Sequence, residues 1–293
     1  MNPADSAAPV PEDEPPFVHE ECGDTMWDAV LAQPEPAAAC RVTYLGGPTA
    51  ILDLGGLRFL TDPTLDPPGG TYAVVPGLTV TKLAGPAAVD LGRIDVVLLS
   101  HEQHHDNLDT KGRELLQTVQ LVLTTPASAA RLPGNSRGLS PWESTELLTP
   151  GGVPITVTAT PARHGPAGIE PASGDVTGFV LAVGGAHPFQ VYLTGDTVFY
   201  AGVQEVARRF QPRYVFVFAG AAQPRGPFNV TMDTNDALDT AAAFPQATII
   251  PLHHEGWSHY TQHGAAFAQA FSTFGLSQRL LLLTAGAPTD LPV

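Results

Sequence analysis

The feature that most constrains this sequence is a short apolar run that ends in a cluster of histidines and aspartates. Residues Asp95–Leu99 (DVVLL) form an apolar run bounded by turn signals, which is typical of a strand buried on both faces. The segment that follows, Ser100–Asp109 (SHEQHHDNLD), contains three histidines and two aspartates. A loop lets closely spaced side chains converge, and zinc, iron and manganese take imidazole and carboxylate ligands, so this segment predicts a metal site. A solvated polar loop is the alternative interpretation, and few such loops are this rich in imidazole.

Four further segments place a histidine or an aspartate just after a predicted strand. They are His164 in PARHGP, Asp196 in LTGD, His253 in IPLHHEGW and Asp62 in LTDP. Each alone has a plain structural explanation, because a lone loop histidine is usually not a ligand and an aspartate after a strand commonly caps a turn. Together with the histidine-rich loop, they predict that side chains from distant stretches meet around one cation.

The charge and the composition disfavour several classes of partner. The chain has 293 residues, with 14 basic and 29 acidic ones and a formal net charge of −15, which disfavours nucleic acid and anionic lipid. No apolar run approaches the roughly 20 residues that span a bilayer, so we expect no membrane span. The start, MNPADSAAPVPEDEPP, lacks the features of a secretory signal, and a cytoplasmic location is expected. The expected partner is a small-molecule substrate. The sequence leaves open whether the protein forms a homo-oligomer.

The pattern of apolar runs predicts one large domain behind an N-terminal extension. Residues 1–36 are rich in Pro, Glu, Asp and Ala, and we expect a disordered or loosely docked extension with a short helix at 24–33. Residues 37–293 show strands first and then strand–helix alternation, once in each half. This order predicts an α/β (α+β) fold, a four-layer αββα sandwich with helices outside two sheets.

Individual elements of that domain follow from the same pattern. A Gly/Pro-rich loop is expected at 67–80, and this stretch and 223–230 are expected to form the walls of a substrate site. The predicted strands span 42–45, 50–54, 57–61, 95–99, 121–125, 155–159, 178–183, 190–193, 214–218, 248–252 and 279–283. The predicted helices span 111–117, 203–210, 232–244 and 265–274.

In order and spacing, the polar segments resemble those of the metallo-β-lactamase superfamily, specifically its ascorbate-phosphate-lactonase-like branch. The resemblance covers roughly residues 41 to 283. That family carries a His-x-His-x-Asp-His loop after a buried strand, then an isolated His, a Gly-Asp turn and a late His. Here the loop looks like the segment from His101 to Asn107, and the later motifs look like His164, Asp196 and His253.

The resemblance implies a four-layer metallo-β-lactamase sandwich with two metal positions. The implied cofactor is a divalent metal, zinc above all, with manganese or iron as alternatives. The implied ligands are His101, His104 and His164 at the first position, Asp106 and His253 at the second, and Asp196 as the bridging carboxylate.

The histidine-rich loop departs from the family pattern at two points. One extra residue separates its first two histidines, and Asn107 stands where the family has its last loop histidine, which leaves His105 as a spare or a substitute ligand. Because asparagine is a poor ligand for zinc, we expect one firm metal position and a second that is weaker, differently built or empty. Asp62 and Asp109 are candidates for orienting the imidazoles.

The expected activity is hydrolysis of a small lactone, ester, amide or phosphodiester. A divalent ion lowers the pKa of a water ligand towards about 7 and polarises the oxygen that takes up negative charge. Asp106 and Asp196 are the expected catalytic carboxylates, and His259, with Tyr260 beside it, is expected to donate to an oxyanion or a leaving group. Two alternatives stay open: a non-haem iron enzyme of oxygen or redox chemistry on the same fold, and a non-catalytic member with a degenerate metal site.

Overall fold

The computed structural model describes residues 40–75 and 77–293. The N-terminal extension and its expected helix at 24–33 lie outside these residues, and the domain boundary near residue 36 stays a prediction. No helix within the described ranges is long and apolar enough to cross a bilayer.

Fifteen strands form three sheets in the described part of the chain. They are β1 (Cys40–Gly46), β2 (Thr49–Leu54), β3 (Leu57–Thr61), β4 (Thr71–Val75), β5 (Leu78–Thr81), β6 (Val96–Leu98), β7 (Leu121–Thr124), β8 (Ser136–Gly138), β9 (Ser144–Leu148), β10 (Pro154–Pro161), β11 (Thr177–Val183), β12 (Phe189–Leu193), β13 (Tyr214–Phe218), β14 (Thr248–Leu252) and β15 (Pro288–Leu291).

Six helices and one 3-10 turn, Ser277–Arg279, accompany these strands within residues 40–75 and 77–293. Aspartates begin two of the helices, because the Asp109 side chain accepts a hydrogen bond from the Gly112 amide and Asp233 accepts two from the amides that follow it. The helices are α1 (Thr110–Leu116), α2 (Pro126–Ala129), α3 (Glu170–Ser173), α4 (Ala201–Arg209), α5 (Thr234–Ala243) and α6 (Gly264–Thr273).

The strand order places several strand ends at common edges. One sheet has seven strands in the order β15-β1-β2-β3-β6-β7-β8, and the other has six in the order β14-β13-β12-β11-β10-β9. In the first sheet, β3 and β6 run parallel. In the second, β12, β13 and β14 run parallel, and β10 points the same way because both β10 and β12 pair antiparallel with β11. The carboxyl ends of β10, β12 and β14 therefore share one edge.

Three apolar clusters hold the layers together and confirm the predicted αββα sandwich. The largest lies between the two sheets and joins residues such as Leu52 of β2 and Leu181 of β11. A second cluster packs α4, α5 and α6 on the outer face of the six-stranded sheet, with Phe267 and Phe271 fully buried. A third packs the α1 side chain Leu116 on the outer face of the seven-stranded sheet.

The structure corrects two of the predicted elements. The stretch 67–80 is not only a loop, because β4 and β5 form an antiparallel hairpin there between its Gly/Pro-rich turns. The predicted strand at 279–283 is wrong: the chain makes the 3-10 turn, and Leu280 contributes only an isolated bridge to Ile249. Arg279 fixes this geometry by donating to the carbonyls of Ala241, Phe244 and Ala247.

Candidate metal centre

The loops that follow β6 and β10 bring three imidazoles together, and we call them the three-histidine group (His101, His104 and His164). Their ligand atoms all lie within 4.8 Å of one another. His104 Nδ1 lies 2.9 Å from His101 Nε2 and 3.1 Å from His164 Nε2. His101 and His164 are buried and His104 is partly exposed, so solvent reaches the group on the side of His104.

A second convergence, the aspartate–histidine group, consists of Asp106, Asp196 and His253, and all three side chains are buried. His253 Nε2 lies 3.3 Å from Asp196 Oδ1 and 3.6 Å from Asp106 Oδ2. The other oxygen of Asp196, Oδ2, lies 3.7 Å from His164 Nε2 in the three-histidine group. Asp196 thus faces one group with each carboxylate oxygen, which is the arrangement of a bridging ligand.

Special backbone conformations at the strand ends aim these side chains. His253 follows β14 with φ 60, and Asp62 follows β3 with φ 25, in the left-handed region that non-glycine residues seldom adopt. Gly195 before Asp196 has φ 61, and a Cβ at this position would collide with the Thr177 carbonyl oxygen. The turn after β12 therefore requires glycine at the position before Asp196.

Hydrogen bonds on the far side of the imidazoles fix two rings of the three-histidine group. His164 Nδ1 lies 2.7 Å from the Val230 carbonyl oxygen, to which it donates. His101 Nδ1 lies 2.9 Å from Ser100 Oγ, and the Ser100 hydroxyl donates to Asp62 Oδ2 at 2.7 Å. Asp62 therefore reaches the His101 imidazole through the hydroxyl of Ser100. The sequence analysis missed Ser100, whose one signal was its place directly before His101.

Asp109, expected beside an imidazole, has a different role. Its carboxylate caps α1, accepts from the Asp66 amide and pairs with Lys82 Nζ at 3.0 Å. The side chains of Lys82 and Asp109 are 2% and 0% exposed, so this is a buried ion pair. It anchors β5 to the start of α1 rather than orienting a histidine, and no motif in the sequence pointed to Lys82.

The two unusual residues of the histidine-rich loop are not members of either ligand group. The Asn107 amide nitrogen donates to Asp62 Oδ2 at 3.3 Å, so Asn107 belongs to the Ser100–Asp62 network. The His105 ring packs against the Tyr72 ring at a centroid distance of 4.8 Å. His104, and not His105, joins the three-histidine group.

His259 and Tyr260 both contact Asp106. His259 Nε2 lies 2.9 Å from Asp106 Oδ2, and the Tyr260 hydroxyl lies 3.2 Å from the same oxygen. The Tyr260 hydroxyl also lies 3.1 Å from His253 Nε2. Both of these expected donors thus lie at the aspartate–histidine group.

Burial sets the protonation of the histidines in both groups. It lowers the pKa of His164 to about 3, with a further contribution from His104, and it lowers that of His253 to about 3. Burial also lowers the pKa of His101 and His104. These imidazoles are therefore neutral at physiological pH, which is the form that binds a metal.

The two carboxylates of the aspartate–histidine group have opposite pKa shifts. Burial, with the charges of Asp106 and Asp62, raises the pKa of Asp196 well above its ordinary value. Burial acts in the same direction on Asp106, but the charge and hydrogen bond of His259 outweigh it and hold its pKa well below the ordinary value. Asp196 is thus a carboxylate that lacks a positive partner in the protein itself.

The donor set fits a divalent metal. Asp196 is 1% exposed, and no donor in residues 40–75 or 77–293 makes a hydrogen bond to either of its oxygens. A buried carboxylate in that state is costly unless a cation compensates it. Ligands around an ion at the usual zinc bond lengths lie roughly 3.0–3.5 Å apart. The separations within and between the two groups, 2.9 to 3.7 Å, are close to that range.

A cavity opens in front of the two groups. Its volume is about 620 Å³ counted out to open solvent. The hairpin forms one wall with Ala73, Val74 and Val80, and the stretch 223–230 forms another with Pro224, Arg225 and Val230. The remaining lining residues are Gln103, His104, His105, Asp106, His164, Ile169, Ser173, Ala222 and His259.

Comparison with known proteins agrees with this geometry. A family model described as a beta-lactamase superfamily domain matches residues 57–254. The UPF0173 protein YddR of Bacillus subtilis is 26% identical over 255 residues, which cover 82% of this chain and 96% of that protein. A UPF0173 metal-dependent hydrolase of Pelotomaculum thermopropionicum is 28% identical over 260 residues, 86% of this chain and 100% of the relative.

A solved structure with a named activity has the same fold. The isothiocyanate hydrolase from Delia radicum gut bacteria aligns with a TM-score of 0.71 at 26% identity, over 85% of this chain and 98% of that one. The family model alone spans more than half of the sequence, and the αββα layers agree with it. The chain therefore belongs to the metallo-β-lactamase superfamily.

Proposed function

We propose that this metal-dependent hydrolase uses the three-histidine and aspartate–histidine groups to activate water against a small lactone, ester, amide or phosphodiester. The observation that carries the proposal is the Asp196 carboxylate, buried between the two groups without a hydrogen-bond donor. A carboxylate so placed is explained by a cation that it shares with the neighbouring imidazoles. The relatives named metal-dependent hydrolases support the same conclusion.

The proposed ligands divide between the two groups. His101, His104 and His164 would hold one divalent metal, and Asp106 and His253 would hold a second, with Asp196 shared. When bound, such a metal supplies an acidified water and a Lewis acid for the substrate oxygen. Zinc suits this set of nitrogen and oxygen donors, and manganese and iron are the alternatives.

The remaining chemistry falls to side chains at the cavity. His259 lines the cavity, and its Nε2 touches Asp106. We assign to His259 the transfer of a proton to the leaving group, since an imidazole is the usual carrier of a proton near neutral pH. The contact with His259 holds the pKa of Asp106 well below its ordinary value, and the ionised carboxylate would accept a hydrogen bond from a water in the cavity and orient it.

The lining of the cavity favours a compact substrate with an apolar body. The hairpin wall is apolar, and Arg225 is the one Lys or Arg side chain among the described lining residues. A neutral ester, amide or lactone suits such walls better than a multiply charged substrate. The ascorbate-phosphate-lactonase-like branch makes a lactone the first substrate to test. An isothiocyanate is a second candidate, because it is a small neutral electrophile and an isothiocyanate hydrolase shares this fold.

The relatives do not favour the two alternatives left open by the sequence. The relatives of at least 25% identity with a named activity are called hydrolases, whereas the diiron β-hydroxylase CmlA, at 16% identity and a TM-score of 0.57, shares the fold alone. The convergence of six donor residues in two groups does not favour a degenerate, non-catalytic site.

Metal removal and substrate screening test the proposal together. The protein is purified without added metal, its metal content is measured by mass spectrometry, and a panel of lactones, esters, amides, phosphodiesters and isothiocyanates is assayed. We expect turnover of one class, loss of that turnover after chelation, and recovery on addition of zinc, manganese or iron. Full activity after confirmed loss of the metal would refute the mechanism.

A further inference from the structure

The aspartate–histidine group offers three side chains that could bind a metal. In the family pattern the last position of the histidine-rich loop adds another imidazole, and in this chain that position holds Asn107. Asn107 donates to Asp62, so it does not complete the group. Two other side chains touch Asp106 at this point, His259 and Tyr260. The positions of their polar atoms relative to His253 distinguish between them.

The Tyr260 hydroxyl oxygen completes a triangle with two atoms of the group. It lies 3.1 Å from His253 Nε2 and 3.2 Å from Asp106 Oδ2, and those two atoms are 3.6 Å apart. The sides of this triangle resemble the roughly 3.0–3.5 Å separation of ligands that share one ion. His259 Nε2, in contrast, contacts Asp106 Oδ2, which is the same oxygen that the Tyr260 hydroxyl contacts.

The Tyr260 hydroxyl has a fixed position beside both atoms. It can donate its hydrogen to Asp106 Oδ2 while it accepts from His253 Nε2, and loss of that hydrogen would leave an oxygen that faces the same two residues. Asp106 Oδ2 already accepts from His259. Tyr260 is 5% exposed and its ring packs against the His253 and His259 rings at 4.6 Å, so the hydroxyl is held where it is by packing.

We propose that Tyr260 is the ligand that replaces the missing loop imidazole, and that its phenolate oxygen binds the second metal together with Asp106, Asp196 and His253. Coordination breaks the phenol O–H bond, the proton passes to solvent, and an oxygen lone pair forms the bond to the metal. An oxygen-rich set of two carboxylates, a phenolate and one imidazole is harder than the three-histidine group. The second position is therefore expected to prefer iron or manganese, whereas the first suits zinc.

This inference rests on the proposed metal centre, and iron gives it a readout that does not depend on activity. A ferric ion bound by a phenolate absorbs visible light through charge transfer from oxygen to metal, whereas histidine and carboxylate ligands give no such band. The metal-free protein is titrated with ferrous iron in air, while absorption and bound iron are measured. Tyr260→Phe keeps the ring packing and removes only the oxygen. Tyr72→Phe is the matched control, because its hydroxyl donates to Asp66 outside both groups.

We expect a visible band in the wild type and in Tyr72→Phe, and no band in Tyr260→Phe. We also expect Tyr260→Phe to bind the second iron at least about 100-fold more weakly while the three-histidine group still binds. If iron fills both positions without a band, or if the band survives in Tyr260→Phe, the ligand assignment is wrong and the metal centre stands. If the wild type binds no metal at all, both the assignment and the proposed function fail.

Discussion

Replacing Asp196 by asparagine should raise the stability of the metal-free protein and abolish its stabilisation by metal. The Asp196 oxygens accept no hydrogen bond from the described residues, so the carboxyl group is desolvated without compensation. The raised pKa of Asp196 has the same cause, burial next to the charges of Asp106 and Asp62. We expect asparagine to relieve about 1–3 kcal/mol. At about 2–4 °C per kcal/mol for a chain of this size, the metal-free Tm rises by about 2–12 °C.

The same substitution removes the ligand between the two groups. A metal at about 100 times its Kd stabilises the wild type by about 2.7 kcal/mol, a rise in Tm of about 5–10 °C. We expect most of that rise to disappear in Asp196→Asn. Differential scanning calorimetry with and without zinc, after chelation, measures both effects on the same sample.

A buried carboxylate with satisfied hydrogen bonds provides the matched control. Asp66 accepts from the Thr110 and Lys111 amides and from the Tyr72 hydroxyl. Asp66→Asn should therefore lower the Tm by the equivalent of about 1–3 kcal/mol and keep the stabilisation by metal. If Asp196→Asn lowers the metal-free Tm as Asp66→Asn does and still responds to zinc, the reasoning about Asp196 is wrong.

Further predictions concern the ligands, their supports and pH. His104→Ala should remove the metal of the three-histidine group, measured by mass spectrometry, whereas His105→Ala should retain it; equal losses would contradict the assignment of His104. Ser100→Ala removes the hydroxyl between His101 and Asp62, and we expect metal affinity to fall about 10–100-fold in a zinc titration, with a loss of about 1–3 kcal/mol in stability because the buried Asp62 carboxylate loses a donor. Metal binding needs the ionised carboxylate of Asp196, and burial raises the pKa of this group, so metal affinity should increase as the pH rises, and a flat profile in calorimetric titration would count against this. Lys82→Met leaves a buried carboxylate unpaired and should cost about 3–5 kcal/mol in chemical denaturation, and a cost below about 1 kcal/mol would contradict the role given to the ion pair.

Much of the layered fold could be predicted from apolar runs alone. Strands such as β13 and β14 are buried along almost their whole length, so the runs Tyr214–Phe218 and Thr248–Leu252 were predicted with their observed bounds. The strand β15 could not be predicted in this way, because its sequence PTDL is polar and it pairs only with β1 at the edge of the sheet. The apolar residues at 280–283 gave a false strand signal because Leu281 and Leu283 pack against the central core from a loop rather than from a strand.

The site could be predicted only as far as local sequence reports it. His and Asp at strand ends were visible as candidates, since neighbouring parallel strands end at a common edge. The choice between His104 and His105 depends on the fold of one loop, which spacing does not fix. The contact of Asn107 with Asp62 spans 45 residues and that of Lys82 with Asp109 spans 27, and neither leaves a local pattern.

The hairpin β4–β5 belongs to neither large sheet, yet it faces the cavity. The proposed ligands come from the edges of those two sheets, so we expect substitutions on the hairpin to change the space in front of the proposed metal positions without altering the residues that would hold the metal. Lys82, at the base of the hairpin, fixes this ribbon to the start of α1. The residues expected to set substrate selectivity and those expected to bind the metal therefore lie in different segments of the chain. Directed evolution of residues 71–81 should change the substrate selectivity while metal binding is retained.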